Sequence, residues 1–373
     1  MKIFAKLFLV LIASVVFLNS STSSFAVSPS SAKADNERGQ VVNAQNVVTK
    51  SPTGIEVKTE ELQVKVLSGP DKNKTVKVIY DPQGLSSLNL SAGDSVILTK
   101  QTDSRGTNYS INDRFRLPEV AAVLIGFLIL ILLIAGKKGI GSVIGLGISL
   151  AVIFVFVVPA ILSGQNPLTI CLIGAFAILF LTTYIAHGFS RQTTIAMFST
   201  FVALLLTWVI ATLVTDVSLL SGYGTEEAYD LHLGLKSLVD FQGLFLGGII
   251  IATLGALNDV TTTQAATIFE IHKADPKLNF DQLLKRGMSV GREHVVSLVN
   301  TLVLAFVGTS LALFLIFFFN PTGQSIWVIL NSEVISEEII KTVAGTSGLL
   351  LAMPIVTILA AFICVDIIGD KHK

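Results

Sequence analysis

From Leu117 onward, the chain is a succession of apolar segments, each about long enough to cross a lipid bilayer. A transmembrane helix needs about 20 mainly apolar residues to cross roughly 30 Å of hydrocarbon. Charged residues make up 14% of the sequence, well below the ~25% that is typical of soluble proteins. We therefore predict seven spans, at residues 117–135, 139–162, 167–186, 193–215, 242–262, 295–319 and 343–366.

Residues 1–26 have the features of a secretory signal peptide. Lys2 and Lys6 precede the apolar run LFLVLIASVVFL, and the small residues of SFA, at 24–26, suit a cleavage site. The same residues would also serve as an uncleaved anchor. Both interpretations place the segment that follows outside the cytoplasm.

The region before the first span divides into two parts by composition. Residues 27–54 are rich in Ser, Ala, Asn and Gln without an apolar period, which predicts a disordered linker. Residues 55–112 alternate apolar and polar residues in ELQVKV, TVKVIY and DSVILTK, separated by turn residues. This period of two predicts a small antiparallel β domain, either a barrel or a sandwich. The predicted fold is thus mainly α, a polytopic transmembrane helix bundle over 117–373 with a small exported β domain.

The basic residues of the short loops predict the orientation. They concentrate in alternate loops and in the C-terminal tail, and the excess of Lys and Arg marks the cytoplasmic side. We therefore predict a multi-pass protein of the plasma membrane, with the β domain outside and the C-terminus in the cytoplasm. The segment NFDQLLKRGM, between the fifth and sixth spans, fits either a short helix on the inner leaflet or a helical loop packed on the bundle.

The fifth span runs into the polar sequence LGALNDVTTTQAATIFEI. Asp259 and Thr263 lie four residues apart on one helical face, with Thr262 beside them. A charged side chain near mid-bilayer costs at least ~2.5 kcal/mol, so it normally faces protein or a water cavity. The alternative is that these residues mark the exit of the helix into the cytoplasm. We favour a protein-facing Asp259, with Asn258 and Glu270 as supporting residues.

The sixth span begins with a second polar series, GREHVVSLVNTLVLAFVG. Asn300 and Thr301 are predicted to lie at a depth similar to that of Asp259, on the next antiparallel span. The Asp259 carboxylate could pair with Arg292 as a supporting residue, or it could accept hydrogen bonds from Asn300 and Thr301, and either contact would offset its desolvation. The alternative for Arg292, at the helix entrance, is that it only sets the topology. The predicted path for a substrate or an ion consists of Asp259, Thr262, Thr263, Asn300 and Thr301.

The two polar series resemble the signature of the YibE/F-like family of bacterial multipass membrane proteins. GALNDV matches that family's Gly-Ala, two residues, Asp-Val element, and GREHVVSLVNTLVLA is similar to its Gly-Arg, acidic, then Asn-Thr-Leu-x-Leu-Ala segment. The layout is also similar, since an exported β segment precedes a bundle of about seven or eight spans. The resemblance implies membership and topology, and it implies no particular chemistry.

Two functional hypotheses from different classes follow. One is a transporter or permease for an unknown ion or small solute, whose path is lined by the fifth and sixth spans. The other is a non-transporting scaffold or sensor that presents the β domain, since buried polar groups also hold helices in register. We expect no enzymatic activity, because the sequence lacks an HExxH element and the motifs of an intramembrane aspartyl protease.

The expected partners follow from the same composition. The lipid bilayer is one, and the formal net charge of zero gives no reason to expect nucleic acid. Small residues four apart, such as Gly141 and Gly145, suit close helix packing within one bundle. A partner membrane protein and a homo-oligomer both stay open. We predict no cofactor and no metal site, because His294 lies too close to water to suggest one.

Overall fold

The computed structural model describes residues 35–50, 56–80, 88, 90–103, 106–235, 239–320 and 323–365. The predicted signal peptide, residues 1–26, lies outside the described residues. The chain divides into two compact units near residue 133. The first contains a β domain, and the second contains most of a helix bundle.

The β domain is a five-stranded antiparallel sheet that curves into a half-barrel. Its order is β3-β2-β1-β4-β5. The strands are β1 Asp35–Lys50, β2 Glu56–Val66, β3 Thr75–Tyr80, β4 Ser95–Asp103 and β5 Gly106–Arg114. The alternating apolar residues of these strands form one buried cluster, in which Leu62, Val64 and Leu98 are fully buried.

Strand β1 corrects the prediction of a disordered linker for residues 35–50, while 27–34 and 51–54 of the predicted range lie outside the described residues. Residues 35–50 form the central strand of the sheet, paired with β2 on one side and β4 on the other. The apolar period is hard to read because Gly39 takes a core position, where an added Cβ would lie 2.5 Å from Val64. A bulge between Val41 and Asn43 then shifts the alternation. Pairing on both edges supplies the backbone hydrogen bonds that hold this polar strand.

A polar cluster lies at the β2–β3 turn. The Asp71 carboxylate accepts hydrogen bonds from Tyr109 Oη at 2.6 Å and from Lys74 Nζ at 2.6 Å, and it also pairs with Lys100. Its hydrogen bond to Lys100, followed by those to Lys74 and Tyr109, holds the pKa of Asp71 well below its usual range. Burial and the hydrogen bond to Asp71 raise the pKa of Tyr109 to about 12. These contacts tie the turn to strands β4 and β5.

The rest of the described chain is helical. The elements are α1 Leu117–Ala151, a π-helix Val152–Val157, α2 Val158–Leu162, α3 Pro167–His187, α4 Arg191–Val217, α5 Glu226–Leu235, α6 Phe241–Ala274, α7 Phe280–Thr309, α8 Leu311–Phe319, α9 Ile326–Leu330 and α10 Glu333–Ile363. Gly136 has a φ of 55° and breaks α1, which gives two spans from one stretch of chain.

Seven helical segments among the described residues are long and apolar enough to cross a membrane. They are Leu117–Gly136, Gly139–Leu162, Pro167–His187, Arg191–Val217, Phe241–Ala274, Phe280–Thr309 and Glu333–Ile363. The predicted fold class is therefore confirmed, and the chain is a multi-pass membrane protein. The bounds of the first four spans agree with the prediction to within two residues.

The last three spans differ from the predicted bounds. Helix α6 continues twelve residues beyond the predicted end at 262, to Ala274. Helix α7 begins at Phe280 rather than 295, because Asn279 and Gln282 form a capping box there, and it ends near Ser310. Helix α10 begins at Glu333 rather than 343. The added helix ends are polar, and the prediction stopped short of them because hydropathy marks only the apolar part of a helix.

The amphipathic segment at the start of α7 packs on the bundle. Leu283 is fully buried in a cluster with Ile268 of α6 and Ala360 of α10. A Cβ added at Gly287 would lie 2.0 Å from Ile268. The structure therefore agrees with the second interpretation of NFDQLLKRGM, in which the segment packs on the bundle.

Candidate functional site

Helices α4, α6 and α10 pack against one another along a buried surface that we call the three-helix seam. Glycines of α10 meet threonines of the other two helices there. A Cβ added at Gly348 would lie 1.9 Å from Thr207 Oγ1, and one added at Gly345 would lie 2.5 Å from Thr253 Cγ2. Small residues let helix backbones approach closely in lipid, where packing drives association. The seam is therefore densely packed at this depth.

Helix α4 contributes a row of buried hydroxyl groups to the seam. Thr193, Thr200 and Thr207 are spaced by seven residues, about two helical turns, and Thr215 follows near the end of the helix. Thr193 is 4% exposed and the other three are fully buried. This row was not predicted from the sequence, because single threonines in an apolar run resemble an ordinary span. Their seven-residue spacing was the signal that could have revealed it.

Hydrogen bonds cross the seam at Gln264 and Thr261. Gln264 Nε2 donates to Gly287 O at 2.9 Å and to Thr357 Oγ1 at 2.8 Å, which joins α6 to α7 and α10. Thr261 and Thr200 share a hydrogen bond between α6 and α4. Gln264 and Thr261 both lie within LGALNDVTTTQAATIFEI, the segment from which the site was predicted. They are the most buried polar residues of that segment.

Some hydroxyls of α4 lack a partner. Ser199, Thr212 and Thr215 have buried hydroxyl oxygens without a hydrogen-bond partner among the described residues. By contrast, the Thr207 hydroxyl donates to the Ala203 carbonyl at 2.8 Å in its own helix. A buried hydroxyl without a partner is costly, so such groups mark places where a solute, a water molecule or a proton could bind.

The structure corrects the prediction that Asp259 faces the protein interior. Helix α6 buries Leu257, Thr261 and Gln264, whereas Asp259 and Thr263 are exposed on the other side of the helix. Because a helix turns by about 100° per residue, Asp259 lies roughly 200° from Leu257. Polar residues therefore lie on both the buried and the exposed face of α6. The sequence showed the series but not which face the bundle would bury.

Asp259 nevertheless lies beside titratable groups of two neighbouring helices. Its carboxylate interacts electrostatically with the imidazoles of His187, at the end of α3, and His294, on α7. Next to it is a cleft of about 260 Å³. The cleft is lined by His187, Gln192, Thr193, Ala196, Thr262, Thr263 and Ala266. Thr262 and Thr263 were predicted for the path, while the α3 and α4 residues were not.

The residues predicted on the sixth span lie elsewhere. Asn300 and Thr301 are exposed on α7, and the Thr301 hydroxyl donates to Ser297 O at 3.0 Å in its own helix. Arg292 is exposed as well. No hydrogen bond between Asp259 and these residues is found in the described part of the chain. The structure therefore does not bring the two predicted halves of the path into contact.

The two supporting residues on α6 have different surroundings. Asn258 Oδ1 accepts a hydrogen bond from the buried Thr183 hydroxyl at 3.0 Å, which joins α6 to α3. Glu270 is exposed and pairs with Lys273 at 3.7 Å in the same helix. Asn258 thus holds the helix that carries Asp259. Glu270 lies at the helix end, away from the seam.

The YibE/F-like protein model matches residues 123–366. The chain belongs to the YibE/F-like family. The matched range contains every transmembrane helix except the start of the first one, together with both polar series. No curated protein and no solved structure was found to match the chain.

The site of this YibE/F-like protein holds no evident metal centre in the described residues. No group of three or more His, Cys, Asp or Glu side chains is arranged there to hold a metal ion. The chemical groups at hand are one carboxylate, two imidazoles and a row of hydroxyls. Such groups can bind and pass on a proton or hold a small cation.

Proposed function

We propose that this YibE/F-like protein transports a proton or a small cation across the membrane. The observation that carries the proposal is the position of Asp259, on a membrane-spanning helix, beside the cleft and within electrostatic range of His187 and His294. Carboxylates in spans are rare and usually mark ion paths or proton relays. The ring nitrogens of His187 and His294 can donate or accept hydrogen bonds, so both side chains suit the surroundings of a proton or cation path.

The proposed path continues from the cleft into the three-helix seam. Thr193 belongs to both, since it lines the cleft and begins the hydroxyl row of α4. The row then passes Thr200 and Thr207 toward Thr215 at the far end of the helix. This path replaces the predicted one between the fifth and sixth spans. It uses Thr262 and Thr263 but not Asn300 or Thr301.

The proposed orientation follows from the basic loops. We propose that the cleft opens to the cytoplasm, while the β domain and the loop after α4 lie outside. The loop between α6 and α7 carries Lys277, and the first turns of α7 carry Lys285 and Arg286. These basic residues favour the cytoplasmic side. Cysteine labelling tests this proposal. Reaction of an Asp281→Cys variant with an impermeant reagent outside intact cells would overturn it.

A scaffold or sensor is the second candidate, and dense packing favours it. Gly348 and Gly345 hold α10 so close to Thr207 and Thr253 that the middle of the seam is closed. A transporter must open this contact during its cycle, whereas a scaffold can leave it closed. The scaffold hypothesis also predicts that hydrogen bonding alone matters at Asp259, so that an amide would serve equally well.

Reconstitution into liposomes distinguishes the two candidates. Purified protein is placed in vesicles that contain a pH-sensitive dye, and a pH gradient is applied with and without Na⁺, K⁺ or Mg²⁺. We expect proton or cation flux above that of empty vesicles, and loss of this flux in Asp259→Asn. Flux equal to that of empty vesicles under every gradient would favour the scaffold.

A further inference from the structure

Two glutamates at the start of α10 hold the loop that follows α4. We call residues 219–225 the strap. Glu333 Oε1 accepts hydrogen bonds from Ser221 N at 2.7 Å, Ser221 Oγ at 2.6 Å and Gly222 N at 3.0 Å. Hydrogen bonds to a charged acceptor are roughly twice as strong as neutral ones. The Glu333 carboxylate therefore accepts hydrogen bonds from three donors of the strap.

Glu337, one turn further along α10, makes the second attachment. It is 4% exposed, and its Oε1 accepts from Gly224 N at 2.9 Å. A Cβ added at Gly224 would lie 2.6 Å from this carboxyl group. The glycine thus lets the strap backbone lie directly on the carboxylate. A buried carboxylate used only as an acceptor for a loop is an expensive way to fix that loop.

The strap lies across one end of the three-helix seam. It follows the last residues of α4, and Gln242 Nε2 of α6 donates to Leu220 O at 3.1 Å. Gly222 has a φ of +85°, and a Cβ there would lie 2.3 Å from the Phe241 carbonyl oxygen. Together with the glutamates of α10, these contacts reach all three helices of the seam. The strap therefore covers the place where the helices converge.

The hydroxyl row of α4 ends directly beneath the strap. Leu220 N donates to Thr215 O at 3.2 Å. The Thr215 side chain is fully buried, and its hydroxyl has no partner among the described residues. Leu220 itself is 6% exposed. The unpaired Thr215 hydroxyl thus lies beneath the strap, which the side chains of Glu333, Glu337 and Gln242 hold in place.

We infer that the strap is the gate at this end of the seam, and that Glu333 and Glu337 are its latch. The gate rests on the proposed function, because it opens for the transported proton or cation. The latch consists of hydrogen bonds from strap N–H and O–H groups to two carboxylates. Breaking them exposes Leu220 and Thr215 without any change in the packing of α4, α6 and α10.

A labelling experiment tests the latch without any need for transport. Leu220→Cys is made in a Cys171→Ala/Cys364→Ala background, and its reaction with a water-soluble maleimide is timed in nanodiscs. Glu333→Ala/Glu337→Ala should raise the rate about tenfold or more, because several hydrogen bonds to charged groups are lost. Glu338→Ala is the matched control, since Glu338 pairs with Lys341 in α10. Equal rates in the latch variant and the parent would overturn the latch.

A second experiment tests the gate through flux. Ser221→Cys/Glu333→Cys is locked with a short, reducible bis-methanethiosulfonate, and Ser221→Cys with a monofunctional reagent is the control. Locking should remove at least nine-tenths of the flux, and a reductant should restore it. A locked protein that keeps its flux would overturn the gate. If the unlocked protein shows no flux, the proposed function fails, while the labelling result on the latch stands.

Discussion

Both faces of α6 carry polar residues, but those on one face are buried and those on the other are exposed. The buried face places Thr253, Thr261 and Gln264 in the three-helix seam, where their polar atoms are hydrogen-bonded. The exposed face carries Asp259 and Thr263 beside the cleft. Both faces come from one short sequence of uncharged and acidic residues. On α6, burial therefore separates the polar residues that pack the helix into the seam from the residues beside the cleft.

The glycines of α6 repeat the contrast. A Cβ added at Gly247 would lie 2.6 Å from Cys171 Sγ, whereas nothing lies within 4 Å of one added at Gly248 or Gly255. The face that carries Gly247 therefore needs a small residue for close packing. The face that carries Gly248 and Gly255 has open space around these glycines. Substitutions on the seam should reduce stability, and those on the exposed face should spare it.

The largest stability loss is expected for Gly348→Ala, at the tightest contact of the seam. Its new methyl group would collide with Thr207, a branched side chain with little rotamer freedom. We expect a loss of about 2–3 kcal/mol. Thermal unfolding in detergent measures it through a thiol-reactive dye, because Cys171 and Cys364 are buried until the bundle opens. Adding Thr207→Ala should restore part of the loss, and strictly additive effects would contradict the contact.

Gln264→Leu is expected to have an intermediate effect. It removes the hydrogen bonds to Gly287 O and Thr357 Oγ1, each worth up to about 1–2 kcal/mol in membrane helices. We expect a loss of about 1–2 kcal/mol in the same assay. Thr263→Val, on the exposed face of the same helix, is the control. A larger loss for Thr263→Val than for Gln264→Leu would reverse the assignment of the two faces.

Alanine substitutions at the adjacent residues Gly247 and Gly248 should change the stability by smaller amounts and in opposite directions. Gly247→Ala presses on Cys171 and should cost about 1 kcal/mol. Gly248→Ala has open space and should raise stability by up to about 0.5–1 kcal/mol, since alanine favours helix more than glycine does. The difference in unfolding temperature between the two variants is the measurement. Two equal shifts would mean that α6 is buried on both faces, as in an oligomer.

The smallest effect concerns a carboxylate outside the membrane. The contacts that lower the pKa of Asp71 below its ordinary value of 3.8 stabilise the β domain above that pH, and this contribution is lost as the pH falls through the folded pKa. The hydrogen-exchange protection of β4 in the full chain, measured relative to the intrinsic exchange rate at each pH, should therefore fall below about pH 4. Asp71→Asn should lack this pH dependence. A variant that follows the parent at every pH would show that the Asp71 contacts do not matter.

The fold was largely predictable, because membrane spans and alternating strands leave strong periodic signals. Hydropathy located seven spans, yet it could not find polar helix ends such as Phe280–Gly291, whose capping box and buried glycines set the true bounds. Strand β1 was missed because it depends on pairing with β2 and β4 rather than on its own apolar pattern.

The site was predictable in part. The polar series pointed to α6 and to Asp259, Thr262 and Thr263. Apart from His294 on α7, its partners could not be deduced, because they come from α3, α4 and α10, which are far away in sequence and whose hydroxyls, imidazole, amide and glycines carry no distinctive pattern there. Pairing Asp259 with Asn300 assumed that consecutive spans share their polar faces. In the structure, α6 packs mainly on α4, α10 and α3.

We propose that the charge at Asp259 serves function, while the buried polar residues of α6 serve stability. The most direct test measures proton or cation flux per folded molecule for Asp259→Asn in liposomes, beside its unfolding temperature. We predict an unchanged unfolding temperature and a loss of at least about tenfold in flux, because the amide keeps the shape but cannot ionise. Full flux from Asp259→Asn across the pH range would contradict the claim.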